Sequence, residues 1–168
     1  AAKTSWQINE KNMVDFIYIN DPRREEFLPV INELSPEQAL NASDEEAFVL
    51  YGKSSALDKL YLEPYYIYKK EDGEGGTRLQ AQKGRINTPG VFAKYDAAPF
   101  TYRGQIAYQT GDYGLNDREA LGGYFYVDRA FKDKKWQPAL SVGYVYLSGD
   151  DPATPENEGW DSLFSRYP

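Results

Sequence analysis

The chain has 168 residues, 19 Lys plus Arg against 26 Asp plus Glu, a formal net charge of −7, and neither His nor Cys. Those absences exclude disulfide frameworks, thiolate or imidazole metal sites, Cys or Ser–His nucleophile systems and a histidine proton switch. The acidic balance also argues against a duplex-binding module, which needs clustered Lys and Arg to displace counterions from phosphates.

Tyr is the compositional excess, with 15 residues. The length fits one domain, and no apolar run approaches the roughly 18 residues of a membrane-crossing helix. The opening Ala1-Ala2-Lys3 reads as a processed or internal end, and the absence of Cys suits passage through an oxidising compartment.

In chain order, alternation of apolar and polar residues dominates and helical spacing is almost absent. A weak strand is expected around Ser5 to Asn9, then a strand over 13–19. The loop 21–45 follows, with Pro22, Pro29 and Pro36; within it Ser35-Pro36-Glu37-Gln38 predicts a short helix from about Pro36 to Asn41. Strands are predicted over 46–52 and 60–70, joined by the turn 53–59, and the loop 71–84 opens on the flexible run Glu71-Asp72-Gly73-Glu74-Gly75-Gly76. Further strands are predicted over 85–95, 100–110, 119–131 and 136–148, joined by the turn 96–99, the loop 111–118 and the turn 132–135, before the acidic stretch 149–168.

The later strands are long for a soluble sheet, where about 5 to 6 residues are usual. They match the roughly 9 to 11 residues that carry a tilted strand across a bilayer. Long connections alternate with short ones, as in up-and-down outer-membrane barrels, whose periplasmic turns are short and outer loops long. The expected fold is therefore all-β, an antiparallel up-and-down transmembrane barrel, with residues 1–168 one segment of about 7–8 strands.

Side-chain parity gives each strand an oily and a wet face. In 100–110, Phe100, Tyr102, Gly104, Ile106 and Tyr108 oppose Thr101, Arg103, Gln105, Ala107 and Gln109. In 136–148, Trp136, Leu140, Val142, Tyr144 and Tyr146 oppose a set of smaller residues, and 60–70 and 119–131 divide in the same sense. Tyr95, Phe100, Tyr102, Phe131 and Trp136 lie beside the short turns, and Tyr66, Tyr68, Tyr108, Tyr144 and Tyr146 lie towards the other rim. Two aromatic girdles around an aliphatic band are the pattern of a barrel wall at the two membrane interfaces. Pro64 interrupts this pattern and calls for a bulge or a break in the ladder; Pro89 and Pro138 raise the same question nearer strand ends. Arg129 has lipid parity, tolerable near a rim where its stem can snorkel.

Several runs resemble the alginate export family of outer-membrane β-barrels. They are Gly111-Asp112-Tyr113-Gly114 with Asn116-Asp117-Arg118-Glu119-Ala120, then Tyr146-Leu147-Ser148-Gly149-Asp150-Asp151-Pro152, then Gly159-Trp160-Asp161-Ser162-Leu163-Phe164-Ser165-Arg166-Tyr167-Pro168. Leu60-Tyr61-Leu62-Glu63-Pro64-Tyr65-Tyr66-Ile67-Tyr68 and Asp21-Pro22-Arg23-Arg24 are also similar. The resemblance covers most of the chain, most strongly from about Ile86 onward. It implies a monomeric barrel of roughly eighteen strands, of which this chain supplies a central portion, and passage of an anionic polysaccharide across the outer membrane.

Parity places Lys69, Lys94 and Arg103 on the wet wall with Glu63 and Asp128, alongside Gln105 and Gln109. Asp15 belongs to either face. This mixed lining departs from a strongly cationic tunnel. Arg103 could hold a passing carboxylate or pair with Glu63 or Asp128, and Lys69 and Lys94 could be selective or solvated rim charges. Tyr124 and Tyr126, with Tyr61 and Tyr65, could form sugar-stacking rails or fill space. Asp150, Asp151, Glu156, Glu158 and Asp161 lack the spacing of a calcium loop and read as solvated. Glu63 with Asp128 lacks a closed pocket for acid/base work, so no enzyme activity, metal or cofactor is expected.

The expected function is passage of an anionic polysaccharide, or of a small anionic solute as in a general porin, through a water-filled barrel in the Gram-negative outer membrane. A soluble sugar-binding β-protein is the remaining alternative. Loops 21–45 and 149–168 are the expected constrictions or lids. The expected partners are the transported solute, outer-membrane lipid and periplasmic export components, without nucleic acid.

Overall fold

The computed structural model describes residues 1–22, 44–72 and 83–164. These form eight strands: β1 (Ala2–Asn9), β2 (Asn12–Asp21), β3 (Asp44–Leu57), β4 (Leu60–Asp72), β5 (Gly84–Ala97), β6 (Phe100–Tyr113), β7 (Asn116–Ala130) and β8 (Ala139–Leu147). They make one sheet in the order β1-β2-β3-β4-β5-β6-β7-β8, every neighbour antiparallel. The sheet is open, with β1 and β8 at its edges. The all-β, up-and-down architecture expected from the alternation is what the chain adopts, and no described residue is helical. The predicted turn of helix at 36–41 lies outside the described residues.

The strands are longer than their apolar cores. β3, β5 and β6 each have 14 residues and β7 has 15. The connection expected over 111–118 is largely ladder, paired from Gly111↔Arg118 to Tyr113↔Asn116, and the chain reverses in Gly114–Leu115. Gly114 sits at φ 65, where a residue with a Cβ is disfavoured, so a two-residue reversal is affordable here. The turn expected over 53–59 likewise shrinks to Asp58–Lys59, and 96–99 to Ala98–Pro99. The β7–β8 connection is longer than expected, because Trp136 and Gln137 both have positive φ and Pro138 has no N–H, so β8 begins only at Ala139. Trp136 therefore lies in this connection and not on the strand's apolar face. Connections at this end of the sheet, including Glu10–Lys11 between β1 and β2, are short; at the opposite end they are long except for Gly114–Leu115.

Strand pleating separates two faces, as parity requires. Trp6, Phe16, Phe48, Leu50, Tyr66, Ile106, Tyr108, Leu121, Phe125, Leu140, Val142, Tyr144 and Tyr146 share one face, and all are exposed. Across the ladder they meet one another: Phe16↔Leu50↔Tyr66, Tyr18↔Phe48, Tyr95↔Tyr102, Tyr108↔Leu121, Phe125↔Tyr144. A contiguous exposed apolar face of this kind is the mark of a surface that meets lipid or another protein. Arg129 joins it near the short-connection end, with its guanidinium 5.3 Å from the Phe100 ring and 4.6 Å from the Phe131 ring.

Prolines are absorbed without bulges. The β3–β4 ladder steps from Tyr51↔Tyr65 to Ser54↔Leu62, so Pro64 faces Gly52 at an interruption; a Cβ on Gly52 would lie 3.1 Å from the Pro64 ring. Pro89 falls in a comparable gap, between Asn87↔Thr110 and Gly90↔Ala107 of the β5–β6 ladder. The missing proline donor is placed where no ladder bond is made.

Candidate functional site

The opposite face of the sheet carries the polar wall residues and is partly covered by the chain that follows β8. Glycines admit large rings here. Tyr65 lies across Gly90, Tyr126 across Gly143 and Trp160 across Gly122; any Cβ at these glycines would collide with the ring. Tyr51 and Tyr65, directly paired on β3 and β4, stack with ring centroids 6.0 Å apart, and Tyr124 and Tyr126 meet edge to face at 5.6 Å. The aromatic sets on this face thus depend on missing side chains opposite them.

Wall charges are mostly paired. Arg103 Nε donates to Asp128 Oδ2 at 2.7 Å and its guanidinium lies 4.5 Å from the Tyr126 ring. Both partners are partly exposed, so solvent screens this pair and it adds little to stability. Of the alternatives for Arg103, the partner is Asp128. Glu63 instead accepts from the hydroxyls of Tyr51 and of Tyr61, the latter at 2.7 Å. Lys94 pairs with Asp96 at 3.0 Å near the Ala98–Pro99 turn and is half exposed. Gln105 donates to the Tyr65 hydroxyl at 2.5 Å. Asp15, ambiguous by parity, is on this face and buried between Lys3 at 2.8 Å and Lys53 at 3.4 Å.

The remaining polar residues act on the inward-folded segment 157–164. Asn157 is held against β7 by backbone hydrogen bonds to Asp117 and Glu119, at 2.7 and 3.1 Å. Arg118 Nη1 donates to the Gly159 carbonyl at 2.8 Å, and Trp160 N–H donates to the Ser148 carbonyl at 3.0 Å. The Gln109 amide clasps the Asp161 backbone from both sides, its Nε2 donating to the carbonyl at 2.8 Å and its Oε1 accepting from N–H at 2.9 Å. Lys69 Nζ donates to the Leu163 carbonyl at 2.8 Å, pairs with Glu71 and with Glu45 at 3.6 Å, and lies 4.9 Å from the Phe164 ring. Gln109 and Lys69 are 0% and 1% exposed. An ammonium so deep is tolerated because two carboxylates, a carbonyl and a ring face replace its water.

Of the residues selected by parity, Lys69 and Gln109 thus anchor the inward segment, while Arg103, Asp128, Tyr124 and Tyr126 cluster on β6 and β7. Lys94 lies directly across the β5–β6 ladder from Arg103, towards the rim, with its ammonium on Asp96. Arg118, buried on β7, and Trp160 were not selected from the sequence as site residues. Arg118 belongs to a polar run that reads as loop, and nothing in the linear pattern ties Trp160 to Gly122. Asp150 and Asp151 are tied within the acidic stretch, Asp150 accepting from Glu158 N–H at 3.0 Å and Asp151 from Ala153 N–H at 2.9 Å.

No curated protein and no solved structure matches the chain. A family model described as alginate export matches residues 26–167. With its open up-and-down sheet, exposed apolar face and polar wall, this chain belongs to the alginate export family.

Proposed function

We propose that residues 1–168 form one segment of the wall of an outer-membrane β-barrel, the apolar face toward lipid and the polar face toward a water-filled lumen. The family's role, export of alginate through an outer-membrane channel, supports passage of an anionic, alginate-like polysaccharide or a related solute. The short connections at 10–11, 58–59, 98–99 and 131–138 are assigned to the periplasmic side, and the ends that lead into 22–43 and 73–83 to the outside. Selection rests on diameter, on the Arg103, Lys94 and Asp128 charges, on Gln105, Glu63 and the two tyrosines of β7, and on the inward segment. No bond chemistry is required.

The observation that carries this is the division of one sheet into an exposed apolar face and a polar face overlain by its own chain. A soluble sugar-binding protein would have to hide the first and leave the second open. The paired wall charges support a second reading within the same class, a small-solute porin, since Arg103 is already neutralised by Asp128 and Lys69 by Glu71. The test is extraction of the protein with buffer and with detergent, followed by planar-bilayer conductance with and without an oligouronate. Detergent dependence with conductance blocked by the oligouronate is expected; unblocked conductance selects the porin. Full solubility in buffer without channel activity would sink both.

A further inference from the structure

A cavity of about 560 Å³ lies on the polar face between the wall and the inward segment, within the roughly 300–1,000 Å³ range of ligand clefts. Its walls include the stacked Tyr51 and Tyr65, Tyr124 and, from the segment, Trp160. These rings are held in place before any ligand arrives. Tyr65 is fixed over Gly90 and by Gln105, and Trp160 over Gly122 and by its backbone bond to Ser148. Preorganised rings cost little entropy on binding.

Two polar features make this more than a space-filled groove. Thr88 lines the cavity, is 1% exposed, and its hydroxyl has no hydrogen-bond partner among the described residues. A buried hydroxyl of this kind is destabilising unless something satisfies it. Charge supplies the second feature: among the described residues, Glu63 and Asp161 line the cavity and neither Lys nor Arg does. Asp161 is engaged with the Leu163 N–H at 2.6 Å and with Arg118 at 3.9 Å, which leaves Glu63, on the strand wall, as the carboxylate held, among the described residues, by tyrosine hydroxyls alone.

We propose that this cavity is a subsite for one uncharged pyranose ring, packed by its C–H faces between Trp160 and the tyrosines, with hydroxyls reaching Glu63, Gln105 and Thr88. It goes beyond passage of an anionic polymer and has the opposite charge preference, because a uronate carboxylate placed here would meet Glu63 without a compensating cation. It rests on the proposed exposure of the polar face to water, but not on conduction.

The test uses the full chain in detergent micelles with Trp6→Phe and Trp136→Phe, so that the emission reports Trp160 alone. The probes are methyl β-glucopyranoside and methyl β-glucuronide. Saturable perturbation by the glucoside is expected, with the glucuronide roughly tenfold weaker, the scale of one like-charge contact at the edge of solvent. Glu63→Gln should close that gap, and Thr88→Val should weaken the glucoside several-fold with an unchanged far-ultraviolet spectrum. Calorimetric titration of the unsubstituted chain gives the same comparison if the double variant folds poorly. Equal or tighter binding of the glucuronide, or no saturable response to either sugar, overturns the proposal. Sugar binding in a protein that forms no channel would instead remove the channel reading and leave the subsite standing.

Discussion

Gln109 is the residue through which the wall grips the inward segment most completely, since a single buried amide makes both of its hydrogen bonds to the backbone of Asp161. Gln109→Ala is expected to cost about 1–3 kcal/mol of local stability by stranding that backbone. Trp160 emission should move to longer wavelength as the segment lifts, and single-channel conductance should rise; a conductance equal to the parent's would remove the segment from the constriction. The glycines under the rings give a second contrast. Gly143→Val drives a side chain into the Tyr126 ring and is expected to lower stability by about 1–3 kcal/mol, whereas Gly149→Ala, with nothing within 4 Å, should be close to neutral. Denaturant midpoints of the two variants measured in the same micelles decide this. Lys69 is the least replaceable of the wall cations, because its ammonium is buried between Glu71 and Glu45 and also holds the Leu163 carbonyl.

At the level of the strands, alternation located every element, and where it erred the cause is physical. Strands of a membrane sheet are longer than the hydrocarbon they cross, so their ends turn polar while the ladder continues. Gly111 to Arg118 therefore reads as a loop by composition although it is paired nearly throughout, and Lys53 to Leu57 reads as a turn although β3 extends to Leu57. Polarity marked the edge of the apolar band, not the end of the strand. The converse error at Trp136 comes from backbone geometry, positive φ at two successive residues, which hydropathy does not carry. Parity was enough to place Arg103, Gln105, Gln109 and Lys69 on one face with Glu63 and Asp128. It gave no access to which of them hold the inward segment, because that depends on contacts separated by dozens of residues, such as Lys69 with Leu163. The same two-faced strand makes a direct prediction: Phe125→Lys, on the apolar face of β7, should destabilise by about 2–4 kcal/mol if it sits near the bilayer midplane. Its neighbour Tyr124→Lys, on the other face, should cost markedly less, as read from unfolding in lipid vesicles.

For the molecule as a whole, the charges on this part of the polar wall largely offset one another, Glu63 apart, so it should add little to any selection between small cations and anions. Reversal potentials in a salt gradient measure that selection. Asp128→Asn, which frees Arg103 from its partner, should shift them toward anion preference, by more at low than at high salt. A shift of the opposite sign would mean that the Arg103 and Asp128 face is not lumenal. The pairing order has a further meaning. Because each strand bonds only to its neighbours in the chain, with no crossover, β-hairpins are the modules of this architecture. Duplication or loss of one hairpin during descent would widen or narrow a closed barrel by two strand spacings, roughly 9–10 Å of circumference, and leave every other pairing in register.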